Sequence, residues 1–168
     1  AGADVVVCPL DKDLNIDASA IPVADVIVIT AMSNVLGVAQ DVKKIVAAAR
    51  KKNPDVIAIV DAAQFVVHAD IDMRAWDADF VCWSGHKIGA DNGIGVMAIK
   101  NPNRFMPDKF GGGMVNVVNL DGTFTVQNAP DKFEAGTLPL VQIAGLASAV
   151  KEIKNNRPKQ ALIKFLYD

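Results

Sequence analysis

The chain has 168 residues, enough for one ordinary domain with a real core. Hydrophobic residues make up 51% and charged residues 21%, a globular composition, and 17 basic against 19 acidic residues leave a net charge of −2. That balance gives no electrostatic case for nucleic acid or an anionic membrane as a partner, and no apolar run approaches the ~20 residues needed to span a bilayer.

Asp4–Cys8 is a short continuous apolar run, the signal of a buried strand. Pro9 and the polar stretch Asp11–Asp17 read as a loop, and Asp25–Thr30 as a second buried strand followed by a turn at Ser33–Gly37. The next segment, Asp41–Lys52, reads as a helix. Asp41 suits the N-cap, Val42, Ile45, Val46 and Ala49 fall at helical spacing, and Asn53-Pro54 stops it. Val56–Val60 is a third buried strand, ending at Asp61. Met73–Trp76 fits one helical turn, Asp79–Trp83 a fourth strand and Gly95–Ile99 a fifth, with a tight turn at Asp91-Asn92-Gly93 between the last two. Gly111–Gly113 opens a loop region, and Val117–Val126 reads as a hairpin broken at Asp121-Gly122. Pro139–Lys154 is a long helix with Ile143, Leu146, Ala147 and Val150 on one face, and Pro158 suits the first position of a further helix. Short buried β-runs alternating with helices imply an α/β fold with a mainly parallel sheet.

The chain begins at Ala1 without an initiator Met and stops at Leu166-Tyr167-Asp168 inside an apolar helical pattern. The expectation is a fragment of something longer. No basic n-region precedes a short apolar run, so no signal peptide is read. Cys8 and Cys82 sit in apolar runs and form no CxxC pair, and with two His there is no zinc framework. Two buried thiols in a reducing cytoplasm are expected.

Ligands of open α/β sheets bind beyond the carboxyl ends of the strands. That rule selects Thr30–Asn34, Asp61–Gln64 and Ser84–Lys87. An acid, an amide, a hydroxyl, an imidazole and an amine thus converge on one surface. Three chemistries suit them. Ser84, His86 and Lys87 could bind a phosphate; Asp61 could pair with His86 or Lys87 for general acid–base work; or Lys87 could form a Schiff base with pyridoxal phosphate while Asp61 keeps the pyridine nitrogen protonated. Spacing alone does not separate them.

The ordered motifs VDAAQ, DFVCWSGHK, GIGV, GGGM and FEAGT resemble the class V aminotransferase family, and within it the cysteine desulfurase and selenocysteine lyase branch. SNVLG, SGHK and FEAGT look like the sulfur-mobilisation type. The resemblance runs from about Asp4 to about Val150. It implies the large domain of a pyridoxal-phosphate-dependent transferase of the aspartate aminotransferase-like fold. That domain is a mainly parallel sheet flanked by helices, here incomplete: residues 1–168 would be its central part, without an N-terminal segment and a C-terminal small domain. The resemblance makes Lys87 the lysine that binds pyridoxal 5'-phosphate as an imine, Asp61 the acid facing the pyridine nitrogen, and Gln64 the amide at the phenolic oxygen. Ser84 and His86 match the phosphate-binding pair, and Asn34 the asparagine near ring and substrate. Thr137 matches a threonine that reaches the other subunit's phosphate, which implies a homodimer. After Lys87 the family has an aromatic, Gly and Pro, where this chain has Gly89-Ala90-Asp91. Neither Cys8 nor Cys82 matches the family's catalytic cysteine, which the resemblance places, with the substrate-carboxylate arginine, beyond Asp168.

The implied activity is C–S cleavage of L-cysteine to alanine, with sulfur passed to an enzyme persulfide and on to an acceptor protein, as in iron–sulfur cluster assembly. The isolated segment is not expected to complete it. The alternatives are a selenocysteine lyase, another class V aminotransferase-family enzyme, or a non-catalytic relic or dimerisation module. His68 is expected to be a hydrogen-bonding structural histidine, Trp76 and Trp83 packing residues, and Gly111–Gly113 a tight backbone loop.

Overall fold

The computed structural model describes residues 2–156. Its main sheet has four strands in the order β1 (Val26–Thr30), β2 (Ile57–Asp61), β3 (Phe80–Ser84) and β4 (Gly95–Ile99). β1, β2 and β3 run parallel, while β4 returns antiparallel to β3, so the sheet is mixed. Helix α1 (Val42–Lys52) connects β1 to β2; the single turns α2 (Phe65–His68) and α3 (Met73–Trp76) connect β2 to β3. Beyond β4 lie a two-stranded hairpin, β5 (Val115–Val118) with β6 (Phe124–Val126), and helix α4 (Leu140–Asn156). The turn α2 has too short an apolar run to signal a helix. The segment from Pro158 lies outside the described residues.

Helix α1 shows how local sequence becomes packing. The Asp41 carboxylate accepts from the Lys44 backbone N–H at 3.0 Å, a cap that contributes about 1 kcal/mol. Val42, Ile45, Val46 and Ala49 then face the sheet and are buried. They meet Ile29, Ala58, Val60 and Val81, every second residue of the three parallel strands, in one core to which Phe65, Met73 and Trp76 also pack. Trp76 stacks edge-on to Phe65 at 5.1 Å, and Trp83 packs against this core, so both are packing residues as expected.

Two sequence expectations about burial are corrected. Val28 is 74% exposed and Met97 56%, so the strands are covered on one face, not on both. The reason is that α1, α2 and α3 contribute their apolar side chains to the same core. Asp4–Cys8 is not a strand: it carries no ladder, and Val5 and Val7 are 85% and 86% exposed. An apolar run becomes a strand only where a neighbour accepts its hydrogen bonds, and none of the described strands pairs with it.

A polar network fastens the other ends of these strands. Arg50, at the end of α1, donates to the carbonyls of Val56 at 2.9 Å and Asp77 at 2.8 Å, and to Asp79 Oδ2 at 3.0 Å. Asp79, 4% exposed, also accepts from the Ala58 N–H at 2.9 Å. Asp77 pairs with Lys100 and with Arg50 Nε, and the Lys100 hydrogen bond is the main cause that holds its carboxyl below the usual carboxylate range. Asp79→Ala leaves the Arg50 guanidinium and the Ala58 N–H without that acceptor. It is expected to lower unfolding free energy by about 3–5 kcal/mol, read as a fall in the urea midpoint at unchanged slope.

Candidate active site

The carboxyl ends of β1, β2 and β3 lie side by side, one strand spacing of about 4.8 Å apart. Thr30 pairs with Asp61, Asp61 with Cys82 and Cys82 with Met97, so these four form one row across the sheet. The row lies on the face that the helices leave open. Asn34 follows β1 in the turn closed by the Gly37 N–H to the Ser33 carbonyl, and borders a hollow of about 220 Å³ shared with Thr30 and Ser33. Gln64 follows β2 and stands at the start of α2. Ser84 ends β3, and His86 and Lys87 lie in the 3-10 turn Gly85–Ile88 immediately after it.

That turn is held from three sides. The Gly85 N–H donates to the Ile94 carbonyl at 2.9 Å, and Ala90 closes back on the Gly85 carbonyl at 3.1 Å. Ile88 is buried with Val66 and Ala149, which ties the turn to α2 and α4. Gly89 has φ of 91°, a left-handed conformation that ends the turn at little cost because glycine carries no Cβ. The departure at Gly89-Ala90-Asp91 therefore has a local use: Gly89 caps the turn, and Asp91 Oδ2 lies 3.2 Å from where a Cβ on Gly145 would stand. The α4 face that meets the turn is Gly145, Leu146, Ala149 and Ile153. Of the expected Ile143–Leu146–Ala147–Val150 face, Leu146 stands and the other three are corrected: Ile143, Ala147 and Val150 are exposed. Small residues let the helix backbone approach the turn, and close approach outweighs the more apolar stripe.

A Cβ on Gly85 would stand 2.9 Å from Ile94 Cγ2, 3.1 Å from the Ile94 carbonyl oxygen and 3.2 Å from Leu146 Cδ1. Gly85→Ala must therefore move the turn or β4. It is expected to cost about 1–3 kcal/mol of stability, and to shift Lys87 enough to weaken ligand binding at the strand ends, checked by denaturation and by ligand titration.

The polar side chains at the strand ends share one property. Asp61 Oδ1 accepts from the Ala63 N–H at 2.9 Å, which fixes the carboxylate while leaving Oδ2 open. The side chains of Asn34, Gln64, Ser84, His86 and Lys87 make no hydrogen bond or ion pair with the described residues, although Gln64, Ser84 and Lys87 are half-buried. Several other half-buried polar side chains are committed: Gln40 to Ile16, Asn53 to Ala24, Arg50 to Asp79. Thr137 is exposed in the turn before α4, and no hydrogen bond joins it to Ser84, His86 or Lys87. The strand ends thus gather the other expected site residues but not Thr137. His68 is exposed and makes no hydrogen bond among the described residues, which corrects its expected structural role.

Cys82 is the neighbour that composition conceals. It is half-buried beside Asp61, with Sγ 3.6 Å from the Val60 carbonyl, and burial, then the Asp61 charge, push its thiol up from the ordinary value. Cys8 is also half-buried, so neither thiol is fully buried as expected. The period-two alternation Phe80, Cys82, Ser84 was the available signal for Cys82 on this face. Gly111–Gly113 is a turn, with the Gly112 carbonyl accepting from Gly136 at 2.7 Å, in line with a tight backbone loop.

No helix among the described residues is long and apolar enough to cross a membrane. The model of the aminotransferase class-V family matches residues 1–162. The cysteine desulfurase of Enterobacter sp. (strain 638) is 38% identical over 157 residues, covering 89% of this chain and 38% of that protein. A probable cysteine desulfurase of Vibrio cholerae is 40% identical over 131 residues, covering 77% of this chain and 32% of its own length. Among solved structures, the cysteine desulfurase CsdA of Escherichia coli superposes with a TM-score of 0.84 at 34% identity, over 92% of this chain and 40% of that one. The apo cysteine desulfurase of Thermococcus onnurineus NA1 gives 0.79 at 32%, over 88% and 38%. The chain thus spans about 40% of the length of the relatives it matches.

Proposed function

The chain belongs to the aminotransferase class-V family, whose members depend on pyridoxal 5'-phosphate, and we propose that it supplies the cofactor-holding strand ends of a cysteine desulfurase. The observation that carries this reading is the set of uncommitted side chains at three consecutive parallel strand ends. As a donor set they suit that cofactor: an amine for its aldehyde, a carboxylate for its ring nitrogen, an amide for its phenolic oxygen, and a hydroxyl and imidazole for its phosphate. The cofactor supplies an electron sink that lets the bond-breaking electrons of the substrate delocalise into a ring.

Each residue then has its own part. Lys87 would hold the cofactor through Nζ and would move a proton at the substrate's Cα. Asp61 holds a proton on the ring nitrogen, with its Oδ1 oriented by Ala63. Gln64 donates to the phenolic oxygen and limits rotation of the ring. Ser84 and His86 donate to the phosphate, and their place beside Lys87 in sequence fixes the distance between phosphate anchor and amine. Asn34 stands at the neighbouring strand end for the ring and substrate side. Thr137 reaches the phosphate of a second subunit, so a homodimer with shared sites follows. The sulfur acceptor within the protein is a cysteine other than Cys8 and Cys82, carried by a smaller domain, and a separate acceptor protein takes the sulfur onward. The protein works in the cytoplasm.

The test uses the protein expressed from its complete reading frame, supplied with pyridoxal phosphate and L-cysteine. Alanine and, with a thiol reductant, sulfide are expected in equal amounts. Turnover of selenocysteine without turnover of cysteine favours the lyase, and transamination without sulfide overturns the desulfurase reading. Failure to bind the cofactor at all leaves the non-catalytic alternative.

A further inference from the structure

Two charged side chains are buried among the described residues, Asp79 and Lys132, each 4% exposed. Asp79 is accounted for by Arg50 and the Ala58 N–H. Lys132 is not accounted for in that way. Lysine is almost never buried unless paired, yet the ion pairs among the described residues are Arg50–Asp77, Arg50–Asp79 and Lys100–Asp77. Its partners are the Phe105 carbonyl oxygen, which accepts from Nζ at 2.9 Å, and the face of Phe133 at 5.0 Å.

What Lys132 joins gives it a use. It lies in the 3-10 turn Asp131–Phe133, directly before Glu134-Ala135-Gly136-Thr137. Phe105 follows the turn that leaves β4, and its ring lies 4.6 Å from Phe80 of β3. β3 is the strand that delivers Ser84, His86 and Lys87. A continuous path therefore runs from the root of the Thr137 turn, through Lys132, Phe105 and Phe80, into the strand that carries the amine. The far side of the same turn is tied separately, Gly136 N–H to the Gly112 carbonyl at 2.7 Å.

We propose that Lys132 is a positioning residue for Thr137: by fastening the root of that turn to Phe105, it sets where the Thr137 hydroxyl stands for the phosphate of a second subunit. The proposal rests on the reading of Thr137 given above. Burial of an amine against a single carbonyl costs stability that a leucine would not, and a fixed loop position is what this placement yields in return.

The test is the affinity of the apo-protein, from its complete reading frame, for pyridoxal phosphate and for pyridoxal, followed by absorbance. Their ratio isolates the phosphate. Thr137→Val is expected to lower the ratio. Lys132→Met, which keeps the stem and loses the donor, is expected to lower it about tenfold with pyridoxal affinity unchanged, and Lys132→Arg to restore most of it. Lys132→Met added to Thr137→Val changes the ratio no further. Phe80→Leu, which removes the ring that seats Phe105, lowers the ratio as well and serves if Lys132→Met does not fold. An unchanged ratio in Thr137→Val refutes the reading of Thr137, and the route with it. A lowered ratio there, with an unchanged ratio or an equal loss of both ligands in Lys132→Met or Phe80→Leu, refutes the role of Lys132 alone.

Discussion

Lys87→Ala is expected to abolish covalent retention of pyridoxal phosphate. Unaltered protein treated with the cofactor and borohydride should keep it through denaturation and dialysis, with the added mass on the peptide containing Lys87. The alanine variant should keep none. The physical reason lies in the turn Gly85–Ile88: its backbone is pinned to Ile94 and its apolar residue Ile88 is buried, so the amine stands on a rigid base with no competing partner among the described residues. Ser84, His86, Gln64 and Asp61 remain in the variant, so reversible binding survives. On the proposed function both attachment and proton transfer at Cα would be lost, and C–S cleavage should fall by about 10⁴-fold. Retention of the reduced cofactor at the unaltered level, on some other lysine, would sink the assignment.

Asp61→Asn separates charge from shape. The amide is nearly isosteric, and its Oδ1 can still accept from the Ala63 N–H, so the end of β2 should keep its geometry. What goes is the negative charge that the proposed function assigns to holding a proton on the ring nitrogen. In the row across the sheet the neighbours are Thr30 and Cys82, neither of which supplies that charge. Turnover is expected to fall by about 10²–10³-fold, with cofactor attachment at Lys87 intact. Turnover equal to that of the unaltered protein would refute the counter-acid role. The same variant should make Cys82 easier to alkylate, since the Asp61 charge is one cause of its raised thiol pKa and burial the larger one.

These two variants test residues that were legible in the chain. Asp61 and Lys87 each follow a short apolar run, and a parallel strand ends where its apolar run ends. Thr30, Asp61 and Ser84 were therefore set at the same rim of the sheet before any tertiary contact was known. Helix α1 was equally legible, because Asp41, the apolar stripe and Asn53-Pro54 all point the same way. The family motifs added the cofactor, which spacing alone left among three chemistries.

Other features depended on neighbours distant in sequence. Asp4–Cys8 has the composition of a strand, but pairing is a property of two segments and the run cannot specify its own partner. The buried face of α4 shares only Leu146 with the expected one, for a related reason: hydrophobicity ranks Ile143 and Val150 above Gly145, whereas helix approach to the Lys87 turn is limited by size. Nothing local in the sequence marks Lys132, since burial of its amine depends on the Phe105 carbonyl and the Phe133 ring.

By itself, then, the sequence determined the alternation of strands and helices, and the polar residues that stand at the strand ends. Both follow from local rules: apolar periodicity, capping, and the point at which an apolar run stops. Only the tertiary structure decided that one face of the sheet stays open beside Asp61 and Cys82, that β4 turns back antiparallel, and that a buried lysine ties the root of the Thr137 turn to Phe105, whose ring packs on the strand of Lys87. Those features are set by which surfaces meet. Contacts between residues far apart along the chain leave no periodic trace in either segment alone.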